Sequence, residues 1–422
     1  MSQADTKRSS KGNALMLRQP LHERGDARGT GPSAHPEPVE GGAEGVLQVA
    51  ASASRLTRAF IHLDRLTHNL RLLQELAGAR QLWPVVKGDA YGHGAPSVAA
   101  HLVGLGYRTL GVADVEEAIA LKETGIDATF LVLSATLPEH SAALVATGCE
   151  PVVCTLEMAE ALARDAARAG VRVAVHLDVD TGMGRIGIRP DEVPAFLERC
   201  RALPALRVRG LMSHFPRADA ADKTFSREQV ARFHRVIAAT TNYGIEVKHM
   251  ANSAALLDLP EAYFDAVRPG IALYGLRPSA DVANPRVREL QPVLEWKTRI
   301  TFLKEVPAGV GLSYGHAFHT PRPSLIATVP VGYADGLRRN LSAQLDLLVG
   351  GVRCPQVGRI TMDMSLVDVT RLRGRVGLGD EVVIIGRQGA EEVTADELAA
   401  TLGTITYEIV TAIAHRVPRV AV

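Results

Sequence analysis

The most chemically pointed residue is Lys87, in WPVVKGDAYGHG, where an amine follows an apolar run directly and precedes small residues. Burial lowers a lysine's pKa and leaves its amine nucleophilic. Moving it from about 10.4 toward 7 takes about 4 kcal/mol. Taken alone, Lys87 reads more readily as a solvated residue at a strand end. HLDVDTGMGRIG gathers Asp178, Asp180 and Arg185 around Gly182, Gly184 and Gly187, which allow tight turning and close backbone approach. GLMSHF presents His214, and a lone histidine is more often structural than catalytic. HMANS offers Asn252 and Ser253, and VRPGIALYG sets Arg268 just ahead of Gly270 and Ile271.

These residues lie far apart in the chain, so a regular frame must gather them. Short runs rich in Val, Ile and Leu recur near 83–87, 109–113, 129–134, 151–154, 171–177, 208–213, 246–250 and 265–273. Helical-period segments such as VEEAIALKETG and LEMAEALARDAARAG lie between most of them, each closing on Gly. Eight strand-helix units predict a parallel (β/α)8 barrel of the TIM type, whose catalytic groups sit at the C-terminal strand ends. Several of the residues above fall at such ends. Ahead of the barrel, AFIHLD reads as a strand and LDRLTHNLRLLQELAG as a helix, with Leu63, Leu66, Leu70 and Leu73 on one face. Beyond about 290 the rhythm changes to RITFLKEV, SLIATVPVG, LDLLVGGVRC and DEVVIIG, a mainly β C-terminal domain. The expected divisions are a disordered leader over 1–56, the barrel over 57–292 and the β domain over 293–422.

Composition excludes other classes. Over 422 residues, 46% are hydrophobic and the net charge is +1, so disorder throughout is ruled out and no nucleic-acid partner is expected. No run long enough to span a membrane and no signal-type apolar core are present, and the four cysteines lack zinc or disulfide spacing. A reduced, cytoplasmic protein without a metal site is expected. Loops after the seventh and eighth barrel strands commonly hold phosphate, so Ser253, Gly270 and Ile271 form a candidate cradle. An amine nucleophile and a phosphate cradle are the two things pyridoxal 5'-phosphate requires of a protein.

KGDAYGHG, DTGMGRIG, SHF, ANS, RPGIALYG, GLSYGHAF, VGYADG, GRITMDM and RVPR resemble, in this order, the motifs of the alanine racemase family, from about Arg58 to Arg419. The resemblance implies an enzyme that interconverts L-alanine and D-alanine and supplies D-alanine for peptidoglycan. Lys87 would carry the cofactor as an aldimine and act as one acid/base. Tyr91, Ser253, Gly270 and Ile271, with Tyr407 or a neighbour, would hold the phosphate. Tyr314 matches the second acid/base, which in the family reaches the partner subunit's barrel, implying a homodimer with shared sites. His214, bonded onward to Arg268, would prepare that tyrosine, and Arg268 would face the cofactor's pyridine nitrogen. Arg185, Met362 and Asp363 would line the substrate carboxylate side.

Two departures from the family pattern stand out. Asp178 occupies a position where a lysine, sometimes carbamylated, is common, so its carboxylate is expected to supply the anion that holds Arg185. His415 replaces a frequent aromatic residue, which bears on how tightly alanine is selected. The alternative within the family is a racemase of broader range, acting on serine or larger side chains. A decarboxylase of the same architecture would pair the pyridine nitrogen with an acid, which Arg268 is not. A non-enzymatic cofactor carrier leaves the domain bearing Tyr314 unexplained.

Overall fold

The computed structural model describes residues 54–422. The leader expected over 1–56 falls outside the described residues for all but its last three positions.

The chain opens with β1 (Arg58–Ile61) and a helix, Leu63–Ala77. Leu66, Leu70 and Leu73 bury one face of that helix, and Gly78 ends it at φ 64°. Eight short strands follow: β2 (Gln81–Leu82), β3 (Thr109–Val112), β4 (Thr129–Val132), β5 (Glu150–Val153), β6 (Val173–Asp178), β7 (Leu206–Met212), β8 (Val247–His249) and β9 (Ala266–Val267). They pair in parallel in the order β2-β9-β8-β7-β6-β5-β4-β3. A Val85–Gly111 bridge closes the ring, with the Val86 N–H donating to the Gly111 carbonyl at 2.7 Å. This is the expected barrel. Its first strand, Gln81–Leu82, falls just ahead of the run expected near 83–87, where Pro84 has no N–H to give; there pairing persists irregularly through Trp83 N–H to Val267 O and Val85 N–H to Pro269 O, each 2.9 Å.

Strands buried on both faces read as continuous apolar runs, and β3, β4 and β5 each bury three consecutive residues. Trp83, Leu131, Val247 and Ala266 fill part of the interior. Outside, the helix Leu156–Arg168 is capped by Thr155, whose hydroxyl accepts the Met158 N–H at 3.3 Å. It buries Met158, Ala159, Leu162, Ala163 and Ala166, an i, i+4, i+8 stripe laid on the sheet.

The β domain contains β10 (Leu294–Arg299), β11 (Phe302–Val306), β12 (Gly311–Leu312), β13 (Phe318–His319), β14 (Ser324–Val329), β15 (Asp346–Val349), β16 (Val352–Val357), β17 (Ser365–Asp368), β18 (Glu381–Gln388), β19 (Glu391–Val393) and β20 (Arg419–Ala421). Its main sheet runs β11-β14-β17-β16-β15-β18-β10-β1-β20. Thus β1 belongs to this sheet, antiparallel to β10 and parallel to β20, and not to the barrel that follows it in sequence. Its alternating burial, one face in and one out, is the pattern of such a sheet. Thr57 fastens the crossing, its hydroxyl donating to Pro330 O at 2.6 Å and lying 2.8 Å from Thr298 Oγ1.

Candidate active site

A cavity of about 460 Å³ opens at the C-terminal ends of the barrel strands, lined by Lys87, Tyr91, Arg185, His214, Asn252, Ser253, Arg268, Gly270, Ile271 and Tyr407 among others. All of the barrel residues singled out from sequence as site members therefore meet in one place, together with Tyr407 from the second domain. Asp178 lies just beneath, buried at the end of β6.

Lys87 begins an unusual turn. Gly88, Asp89, Ala90 and Tyr91 are all left-handed, with φ between 53° and 63°, and this winding carries the Tyr91 ring back toward the cavity that Lys87 lines. The Asp89 carboxylate accepts the Ala95 N–H at 2.7 Å, tying the turn to the next helix. Burial lowers the pKa of Lys87, Arg185 and Arg268 add to that, and Glu117 opposes it. Burial, with Glu117, raises that of Tyr91, which stays a protonated donor at neutral pH. Tyr407, 6.0 Å from Tyr91 between ring centres, is raised by burial in the same way.

Opposite this turn, the Ser253 hydroxyl oxygen accepts the N–H groups of Gly270 (2.8 Å) and Ala272 (3.2 Å). A Cβ on Gly270 would sit 2.2 Å from the Tyr91 hydroxyl, so only glycine lets the two walls approach this closely. Asn252, beside Ser253, caps the helix Ser253–Asp258 by accepting the Ala255 N–H at 3.1 Å. The glycine-rich loop after β6 is organised by Asp180, whose Oδ1 accepts three successive amides, those of Gly182, Met183 and Gly184, at 2.9–3.0 Å. Arg185 projects from this loop, exposed beside the cavity.

Arg268 is buried, and its partner differs from expectation. No hydrogen bond joins it to His214 among the described residues; Nη1 donates instead to His249 Nδ1 at 2.5 Å, and Nη2 to the carbonyls of Ser213 and Met250. An arginine only donates, so His249 must accept on Nδ1 and donate from Nε2, 2.8 Å from His176 Nδ1. His176 then donates from Nε2 to Glu150 at 3.0 Å, and Arg209 closes the chain on the same carboxylate. Both histidines are held neutral by burial, with Arg268 bearing further on His249. Glu150 is pushed up by burial but held below its usual range by His176 and Arg209. Burial brings Arg268 to about 10, opposed by Asp178, so it remains a cation at neutral pH. His214 is pushed down to about 3 by burial and then by Arg268, Arg185 and Lys87, and stays neutral.

Asp178 is raised to about 7, chiefly by burial, with Arg268 and Arg185 opposing. Among the described residues it forms no ion pair with Arg185, whose charge nevertheless acts on it. Sequence reasoning overlooked His249, His176, Glu150 and Arg209, although KHM and VHLD placed both histidines on barrel strands. It also passed over Glu117, visible only as one acid in a helix.

Three expected residues lie elsewhere in the single chain. Tyr314 is 72% exposed and lines a different cavity, with Ser313, Thr361 and Met364. Met362 is exposed. The Asp363 carboxylate accepts from Arg416 at 2.7 Å. His415 projects into solvent on the outer side of the Lys87 turn, with Asp89 and Glu117.

The residues fit pyridoxal 5'-phosphate: an amine in a desolvated pocket, hydroxyls and converging amides that a Cβ would obstruct, and a buried donor-only cation whose Nε has no protein acceptor among the described residues. Family models describe the same two parts. The alanine racemase N-terminal domain matches residues 61–278 and the alanine racemase C-terminal domain residues 293–421. An alanine racemase of Desulfovibrio desulfuricans is 43% identical over 374 residues, covering 88% of this chain and 99% of that protein. One of Halothermothrix orenii is 45% identical, covering 87% and 97%. Among solved structures, the alanine racemase of Clostridium difficile 630 superposes with a TM-score of 0.83 at 36% identity, covering 87% of this chain and 96% of that one. The alanine racemase of Streptomyces coelicolor A3(2) gives 0.82 at 38%, covering 88% and 99%.

Proposed function

The chain belongs to the alanine racemase family and is a pyridoxal 5'-phosphate-dependent enzyme that interconverts L-alanine and D-alanine; from that premise we propose which residues carry the reaction and how the site is completed. Every relative and structure named above is an alanine racemase, which supports alanine over a broader range of side chains.

Bound in the barrel mouth, the cofactor supplies the electron-withdrawing group that makes the substrate Cα–H acidic. Inverting Cα requires a proton to leave one face and another to arrive at the opposite face. Lys87 Nζ moves the proton on one face, and the hydroxyl of the partner subunit's Tyr314 moves it on the other. Lys87 also anchors the cofactor covalently. Tyr91, Ser253, Gly270 and Ile271, with Tyr407, grip its phosphate. Arg268, which can only donate, would offer an N–H to the ring nitrogen in place of an acid, and so would limit the electron withdrawal that the cofactor supplies. His214 stands neutral beside Arg268. Arg185, with Met362 and Asp363, holds the substrate carboxylate, and Asp178 sets a negative charge behind Arg185.

In this reading the barrel holds the cofactor, and the β domain, whose sheet β1 joins, supplies Tyr314 to a second copy in a homodimer. The exposure of Tyr314, away from the Lys87 cavity of its own chain, carries the shared-site reading. The reaction is assigned to the cytoplasm, in keeping with four free cysteines, and its D-alanine to cell-wall precursors. Mixing Lys87→Ala with Tyr314→Phe subunits tests this. In mixed dimers one of the two shared sites is intact, so random exchange restores about a quarter of wild-type activity to two inactive proteins. No recovery with both variants folded and exchanging would refute the shared site. Borohydride reduction followed by peptide mapping should place the cofactor label on Lys87.

A further inference from the structure

Glu117 stands at the third position of the helix Val115–Glu123, which Asp114 caps by accepting the Glu117 N–H at 3.0 Å. In the usual reciprocal cap, that carboxylate would turn back to the capping residue's own amide. Here it does not. Oε1 accepts the N–H of Gly88 at 2.7 Å and Oε2 accepts the N–H of Ala113 at 2.8 Å. One carboxylate thus joins the peptide that follows Lys87 to the loop after the neighbouring barrel strand.

The Gly88 amide is the first of the left-handed turn. Asp89, Ala90 and Tyr91 hold φ near +53° to +54°, where an L side chain crowds its own carbonyl. Each of the three is disfavoured relative to a right-handed path, and here they stand in succession. Such a conformation persists only where its surroundings over-determine it. The far end is held by packing: a Cβ on Gly92 would come within 2.1 Å of Val410 O, and Arg419 Nε donates to Gly92 O at 3.0 Å. At the near end, the Glu117 carboxylate is the side chain that bonds the turn's first amide.

We propose that Glu117 is a positioning residue that locks the left-handed turn and so fixes the spacing between the Lys87 amine and the Tyr91 hydroxyl, the covalent anchor and the phosphate-binding group. The proposal rests on the roles given above to Lys87 and Tyr91. Its consequence is specific: the clamp matters to a cofactor held at both ends and little to one held by the aldehyde alone. An amide in place of the carboxylate sets an NH2 against one of two N–H donors and opens the clamp.

The test compares pyridoxal 5'-phosphate with pyridoxal, which lacks the phosphate. Holoenzyme is dialysed against mixtures of the two, and the bound ratio is read by chromatography. In Glu117→Gln the preference for the phosphorylated form is expected to fall at least tenfold. Asp114→Ala weakens the same helix end without touching Gly88; it is expected to lower the melting temperature and leave the preference unchanged. If Glu117→Gln does not fold, Glu117→Asp, one methylene shorter, is expected to lower the preference at least threefold. A wild-type preference in the folded Glu117 variant, or an equal fall in Asp114→Ala, overturns the proposal. A borohydride label found away from Lys87 would instead overturn the underlying assignment, whereas a label on Lys87 with an unchanged preference sinks the role of Glu117 alone.

Discussion

Replacing Asp178 by Asn tests the electrostatics beneath the site. The carboxyl is almost wholly buried, and its pKa stands at about 7 against an ordinary 3.8, mainly because burial disfavours the anion. An acid raised on folding keeps its proton longer in the folded state. Its contribution to stability is full below pH 4 and is lost as pH rises through about 7. At 1.36 kcal/mol per pKa unit, the loss totals about 4 kcal/mol, of which about 3 kcal/mol develops between pH 5 and pH 8. Asparagine has nearly the same shape and no charge to desolvate. Urea unfolding of wild type and Asp178→Asn, at one protein concentration, should therefore show the variant gaining about 2–3 kcal/mol on wild type between pH 5 and 8. The same change removes the anion behind Arg185, so KM for alanine should rise several-fold at pH 8 with a smaller effect on kcat. Parallel stability curves would refute a buried, late-titrating carboxyl, and an unchanged KM would remove its role toward Arg185.

The donor chain under Arg268 makes further predictions. His249→Leu takes away the acceptor of a buried guanidinium, and a loss of about 1.5–3 kcal/mol corresponds to a 10- to 100-fold fall in kcat with the cofactor still bound. A full rate would show that Arg268 is oriented without it. Gly210→Ala would place a Cβ 2.1 Å from His176 Nδ1, so calorimetry should register a loss of about 1–3 kcal/mol or more together with a lower kcat. Unchanged melting would mean that the ring can shift aside. Tyr314→Phe should lower racemisation by about 10²–10⁴-fold while cofactor absorbance is kept, measured as D-alanine formed. Near-normal rates would pass the second proton to another group.

Much of this protein was legible from one dimension. Strand and helix periodicity predicted the barrel, because strands buried on both faces must be apolar throughout and their helices must alternate. The motif order pointed to Lys87, Ser253, Gly270 and Arg268, because local spacing alone sets residues at strand ends. The partners of those residues were decided in three dimensions. Next to the barrel in sequence, β1 pairs with strands more than 230 residues away, and no local pattern names a strand's neighbour. Arg268 meets His249 where His214 was expected, since barrel curvature decides which inward side chains touch. Glu117 reads as an ordinary helix acid until folding brings Gly88, 29 positions earlier, against its carboxylate. Tyr314 matches its motif, yet its exposure away from Lys87 is a property of the folded surface. Residue type and periodicity are written along the chain, whereas hydrogen-bond partners and desolvation depend on which distant segments packing brings within 3 Å, and only the tertiary structure specifies that.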